Sequence, residues 1–323
     1  MTLKQYNRID ESYLVFEHML SVAQKLYEHR EEICLAYEEC LRYKANKGDS
    51  SYISSILPMA VKYIQNTSDF DWKKHNLYEV VGNGLCGAGK YALGVKYLQL
   101  PWNGELPKSV RSLTNLGLYY HYNHPDLTKS LSYYKEAEPI ANVYSDSLTR
   151  KFIYEEMGSL YSKLQQYDKA VNYWELVTPY IKALEDSSKF ALHLVRYSID
   201  LIEYGQKEKA DTLLKIAQEL SSHLPNQTKI ICASQIGFAE LKLGEYSKTI
   251  DLLNQAITLT IQEFGVNNKW LPTMYHNLGR AYMLQKDYSN ALSWLNKSKD
   301  LQIQLNGSAM QRTLDYIKEC EAK

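Results

Sequence analysis

The stretch YHNLGRAYMLQKDYSNALSWLNKS, Tyr275 to Ser298, decides the fold because two other stretches lie on it without a gap. They are ASQIGFAELKLGEYSKTIDLLNQA, Ala233 to Ala256, and YEEMGSLYSKLQQYDKAVNYWELV, Tyr154 to Val177. Tyr275, Leu278, Gly279 and Tyr282 stand at i, i+3, i+4 and i+7, one stripe of a 3.6-period helix. A second helix follows, and where two helices cross closely only small side chains fit between their backbones.

Three weaker units keep that logic. Leu113 to Ala137 matches with one inserted residue near Pro125, Leu194 to Ala217 matches with Ser198 in the glycine slot, and Tyr78 to Pro101 matches through Gly82. The small slot of the second helix then reads Gly94, Ser130, Ala170, Ala210, Thr249 and Ala291. Gly89, Gly205 and Gly244 stand where the first helix ends and a left-handed residue is wanted. Tyr91, Tyr167, Tyr246 and Tyr288 follow two residues later, a place for a buried ring with its hydroxyl at the rim, which accounts for much of the excess of 28 tyrosines over 6 phenylalanines.

An aromatic, then L-G, then Tyr, then Tyr with a small residue resembles the tetratricopeptide repeat. The resemblance implies an all-α fold, a right-handed superhelix of helix-turn-helix repeats (an α-solenoid). It covers about six units over residues 67–307. Residues 1–66 read as divergent helices packing on the array, and residues 308–323 as a capping helix with Ser308 at its N-cap and Met310, Leu314 and Ile317 on one face. The glycine slots at 82, 117, 158, 198, 237 and 279 are spaced by 35, 41, 40, 39 and 42 residues, mostly longer than the usual repeat of about 34. Longer helices or linkers such as Glu263 to Thr273 absorb the difference. Lengthened repeats are similar to those of kinesin light chains and of Gram-positive peptide-pheromone regulators.

The segment GNGLCGAGKYALG, Gly82 to Gly94, also carries G-x-G-x-x-G and a near G-x-x-x-x-G-K. A phosphate loop needs a strand before it and a helix after it, and Lys90 is followed by Tyr91 where a magnesium-binding hydroxyl would stand. The repeat register claims Gly82, Gly89 and Gly94, while Gly84 and Gly87 are extra and should loosen the unit. His121 and His124 in HYNH fall at an inter-helix turn and read as solvated. With no nucleophile, metal or acid-base constellation in the sequence, the expectation is a non-enzymatic protein with no cofactor and no metal.

Charge is balanced at 37 basic and 37 acidic residues, which gives no nucleic-acid footprint and no polybasic membrane patch. No apolar run approaches the roughly 20 residues that span a bilayer, and the charged first twenty residues do not read as a secretory signal. Five scattered cysteines without a C-x-x-C pair fit reduced thiols and a cytoplasmic setting.

The resemblance implies that first helices line a concave groove, with slots three and two before and one after the repeat glycine facing it. The candidate peptide contacts are therefore Asn83, Asn115, Glu155, Glu156, Arg196, Gln235, His276, Asn277 and Arg280. An Asn amide can both donate to and accept from a peptide backbone. The early carboxylates, Glu79, Glu155 and Glu156, and the late Arg196, His276 and Arg280 suggest a ligand with basic groups toward the early repeats and acidic groups toward the late ones. A chaperone-tail clamp is disfavoured: Glu79, Phe152 and Glu156 stand where that subfamily has cations. The leading function is an adaptor or sensor for a protein or peptide. The alternatives are a bacterial regulator resembling the pheromone-binding phosphatases and transcription regulators, and a scaffold that self-associates as a homo-oligomer. The first 66 residues show no clear helix-turn-helix, and their glutamines, Gln5, Gln24 and Gln65, fall outside the central helices where a phosphatase glutamine is expected.

Overall fold

In the computed structural model the described residues are 13–18, 20–21, 30–65, 70–100 and 109–323. Much of the N-terminal region, with Gln5 and Gln24, lies outside them. The described residues are helical with no strand, and none of their helices is long and apolar enough to cross a membrane. Two compact units divide the chain, residues 1–160 and 161–323.

In the first unit the helices are α1 (Arg30–Asn46), α2 (Ser50–Ile64), α3 (Phe70–Gly87), α4 (Tyr91–Leu98), α5 (Val110–Leu118) and α6 (Leu127–Tyr144), and α7 (Ser147–Lys163) runs across the boundary. First helices stack side by side, α1 on α3 and α3 on α5, while α4 and α6 pack back on α3 and α5. The second unit continues with α8 (Tyr167–Lys182), α9 (Ser187–Tyr204), α10 (Lys207–Ser221), α11 (Asn226–Leu243), α12 (Tyr246–Phe264), α13 (Leu271–Leu284), α14 (Tyr288–Asn306) and α15 (Gln311–Glu321). Pairing is again antiparallel and sequential, with α9 on α11 and α11 on α13.

The glycine slots are close approaches between the two helices of a pair. A Cβ on Gly82 would lie 2.6 Å from Leu98 Cγ, on Gly237 3.1 Å from Leu253 Cγ, and on Gly279 2.7 Å from Leu295 Cγ. Each of those leucines stands sixteen residues after its glycine. Gly117 meets Tyr134 instead, seventeen residues on, and the extra residue is absorbed by a π-helical stretch, Tyr119–Asn123, at the end of α5. All six small-slot residues are buried. Ser130 also donates its hydroxyl to the Gly117 carbonyl at 2.8 Å.

Left-handed residues end the first helices. Gly89, Gly205 and Gly244 have φ of 78°, 92° and 89°, but Gln165 and Lys286, in the same slot of other repeats, adopt 58° and 65°. A side chain there costs about 1 kcal/mol. Lys286→Gly is therefore expected to raise the unfolding free energy by about 0.5–1 kcal/mol, measured by urea titration. The repeats lengthen through both helices of a pair: the first helices α9 and α11 have 18 residues each, and the second helices α12 and α14 have 19 each.

Three readings need correction. Gly84 is not surplus, because its Cβ would sit 2.6 Å from Ala45 Cβ and 3.1 Å from Asn46 N, so it lets α3 lie against the end of α1. His121 is buried rather than solvated: the π turn rotates it inward, where Nδ1 lies 2.8 Å from Glu156 Oε2. Ser308 does not cap the last helix, which begins at Gln311 after Met310; the backbone N–H of Met310 donates to Gln302 Oε1 at 2.7 Å. The buried face of α15 is Thr313, Ile317 and Cys320, and Met310 is exposed.

Candidate functional site

Stacking first helices places one turn of each beside the next, so residues at corresponding heights form a ladder. In the first unit, Asn83 is buried and donates through Nδ2 to Ser112 Oγ at 3.0 Å. Asn115 donates to Asn83 Oδ1 at 2.9 Å. Ser109, the N-cap of α5, donates its hydroxyl to Ser112 Oγ at 3.0 Å. One turn earlier, Glu79 Oε1 accepts the Ser109 backbone N–H at 3.0 Å, with His75 Nε2 at 3.7 Å. Asn76 donates to Glu38 Oε2 at 2.7 Å, and Arg42 pairs with Glu38 and Glu39.

This ladder borders a cleft of about 280 Å³. Its walls are Arg42 and Asn46 from α1, then Asn76, Glu79, Val80, Asn83 and Gly84 from α3, with Ser109 and Arg111 at the start of α5. Apart from Val80 and Gly84 the lining residues carry polar or charged side chains. Arg111 is exposed, and among the described residues its guanidinium makes no hydrogen bond or ion pair.

The expected contacts divide into several environments. Asn83 and Asn115 are brought together, but they bond to one another and to Ser112. Glu155 pairs with Lys151 at 2.6 Å, and Glu156 with His121 and Tyr122. Each of the three early carboxylates thus has a partner within the protein. In the second unit Arg196 is exposed, and Gln235 is half-buried with Oε1 lacking a partner. His276 and Asn277 are buried.

His276 and Arg280 meet the last helix: Nδ1 of His276 lies 3.0 Å from Thr313 Oγ1, and the Arg280 guanidinium stands 5.3 Å from the centre of the Tyr316 ring. Burial, then Arg280 and Arg312, push the His276 pKa down from 6.5 to about 4, so it is a neutral ring rather than a cationic contact.

Asn76 and Arg111 both lie six residues before a repeat glycine, one turn upstream of the slots considered from sequence. Extending the stripe by that turn would have found them. Arg42 and Asn46 sit on a helix without the repeat signature, and no register marks them. Among the described residues no group of three His, Cys, Asp or Glu side chains is placed to hold a metal ion.

Comparison with known proteins accords with this geometry. Profiles described as tetratricopeptide repeat match residues 229–304 and 153–178. No curated protein matches the chain by sequence. Among solved structures, the apo form of the quorum sensor NprR from B. thuringiensis is 13% identical with a TM-score of 0.55, over 90% of this chain and 81% of its own. A Rap protein complexed with competence and sporulation factor is 13% identical with a TM-score of 0.53, over 90% and 86%. A putative kinesin light chain from Podosopora anserina with nearly identical TPR-like repeats is 18% identical with a TM-score of 0.51, over 64% and 100%. At these identities the likeness is one of fold. Since the contact between repeat glycine and second helix recurs in both units and the profiles fall on the same register, the chain belongs to the tetratricopeptide-repeat superfamily.

Proposed function

We propose that the chain is a non-enzymatic binding module, an adaptor or sensor that holds an extended peptide or partner segment against its first helices. The observation that carries this reading is the polar cleft lined by three successive first helices of the first unit. An extended segment laid across such a ladder meets an amide or a guanidinium on each helix, Arg42 and Asn46, then Asn76 and Asn83, then Arg111, which suits recognition of backbone more than of one side chain. A peptide-responsive regulator is the second reading, favoured by fold likeness to NprR and to a Rap protein bound to its factor.

Selection of random linear peptides displayed on phage, followed by calorimetry of the enriched sequences, tests the proposal. Enriched peptides should bind the wild-type chain and lose about tenfold or more in affinity with Asn83→Ala, which removes a buried amide. No enrichment, together with self-association in sedimentation, would favour the scaffold instead.

A further inference from the structure

We propose that Asp200 is a proton-operated clasp on α8: it holds that helix to α7 and α9 when protonated and loosens it when charged, so that α8 is the element of the second unit poised to open as pH rises. The inference is independent of the cleft in the first unit.

The geometry is that of a carboxylate buried without a cation. Asp200, on α9, is 2% exposed. Its Oδ2 accepts the indole N–H of Trp174, on α8, at 2.6 Å, and its Oδ1 accepts the hydroxyl of Ser162, in the last turn of α7, at 2.7 Å. Both donors are neutral. The titratable groups that face Asp200 are Glu203 on its own helix and Tyr167 at the start of α8. Lys242 of α11 is taken by Glu203, and Lys209 of α10 by Glu175. Among the described residues none of α7, α8, α10 and α11 brings Asp200 a cation.

This pair of donors suits the neutral acid. An indole N–H can only donate, whereas a hydroxyl also accepts. With a proton on Oδ1, the Ser162 hydroxyl turns to accept it and Trp174 keeps its bond to Oδ2, so the polar atoms stay paired and the buried charge is gone. Burial pushes the Asp200 pKa above the ordinary 3.8 against the hydrogen bonds from Trp174 and Ser162, and Glu203 adds to the rise. A folded-state pKa above the unfolded one gives stability that is complete below about pH 4 and is lost as pH climbs through the raised value.

The loss falls on a helix already under strain. Gln165, just before α8, and Glu185, just after it, are both left-handed, with φ of 58° and 53°, a conformation unfavourable to any residue with a Cβ. The N-cap of α8, Gln166, makes no side-chain capping bond, and Pro179 takes a backbone N–H out of its last turn. Helix α9 is built differently: Asp186 caps its start by accepting the Lys189 N–H, and Gly205, at φ 92°, ends it. Strain at both ends of one helix, with Trp174 at its middle bonded to a buried carboxylate, marks α8 rather than α9 as the moving part.

Trp174 reports the clasp directly. Its indole N–H resonance is followed in the labelled full chain between about pH 4 and pH 8, together with amide exchange across Tyr167–Lys182 corrected for the intrinsic pH dependence. The resonance should titrate with a midpoint above 3.8 in the wild type and stand still in Asp200→Asn, whose amide copies the protonated acid by accepting from Trp174 and donating to Ser162. Opening of α8 should increase about threefold or more over that range in the wild type, change far less in Asp200→Asn, and have no counterpart in α12. Gln165→Gly and Glu185→Gly should each reduce the opening about two- to fivefold at every pH. A Trp174 resonance that does not move or moves equally in Asp200→Asn, an α8 that opens no more at pH 8 than at pH 4, an equal increase in α12, or glycine variants that open like the wild type would each overturn the clasp.

Discussion

Gly94→Ala is expected to destabilise the first unit by about 2–3 kcal/mol, the reverse of what helix propensity alone requires. Glycine inside a helix costs about 1 kcal/mol relative to alanine, so an unconstrained site would gain from the methyl group. At Gly94 the new Cβ would lie 2.7 Å from the Gly82 carbonyl oxygen and 3.0 Å from the Cys86 backbone nitrogen. These are backbone atoms of α3, which cannot swing aside as a side-chain tip can. The helices must separate, and Cys86, Val95, Leu98 and Leu116, which form one buried cluster, separate with them. Gly87→Ala supplies the control. A Cβ there meets only an Arg111 nitrogen at 3.9 Å, so it should be neutral or stabilising by up to about 1 kcal/mol. Urea unfolding of both variants, with hydrogen exchange resolved over α3 and α4, measures the difference. If Gly94→Ala stabilises like Gly87→Ala, the close crossing of α3 and α4 is wrong.

The C-terminal helix should loosen as pH falls. His276 is buried and neutral, with its pKa pushed from 6.5 to about 4 by burial and by Arg280 and Arg312. When α15 detaches, the ring meets water and recovers an ordinary affinity for protons. The detached or unfolded state thus binds a proton near neutrality that the packed state does not accept until about pH 4. Stability from this site is complete above about pH 6.5 and declines as pH drops toward 4. The total at stake is on the order of 3 kcal/mol, roughly 2 kcal/mol of it gone by about pH 5. Thr313, Gln302 and Ser298 form the buried polar network that the charged ring would disturb. Amide exchange across Gln311–Glu321, corrected for the intrinsic pH dependence, should accelerate in the wild type between about pH 7 and 5 and change far less in His276→Gln. Equal behaviour of the two would mean that His276 does not anchor the helix.

The sequence made the repeat contacts legible because they are steric. A glycine that must admit Leu98, Leu253 or Leu295, and a small slot opposite it, recur at fixed spacing and leave only small residues tolerable. The left-handed turns were legible where glycine marks them and hidden where Gln165 and Lys286 carry the strain. Gly84 escaped because its partner, Ala45, lies on a helix outside the repeat pattern. His121 escaped because one inserted residue becomes a π turn that reverses which side of the chain is buried. The slots taken from sequence bring Asn83 and Asn115 side by side, but whether Asn83 bonds to a ligand or to Ser112 and Asn115 depends on how closely neighbouring first helices pack, which a one-dimensional register does not carry. The last repeat is the clearest case: His276 and Arg280 face α15, a helix with no signature of its own to announce that it covers them.

The central claim is that the first helices of the first unit hold an extended peptide, and the exchange footprint of a phage-selected peptide on the wild-type chain tests it most directly. The account predicts added protection in α1, α3 and α5, around Arg42, Asn46, Asn76, Asn83 and Arg111. Protection confined to the second helices α4 and α6, or no change at saturating peptide, would contradict it.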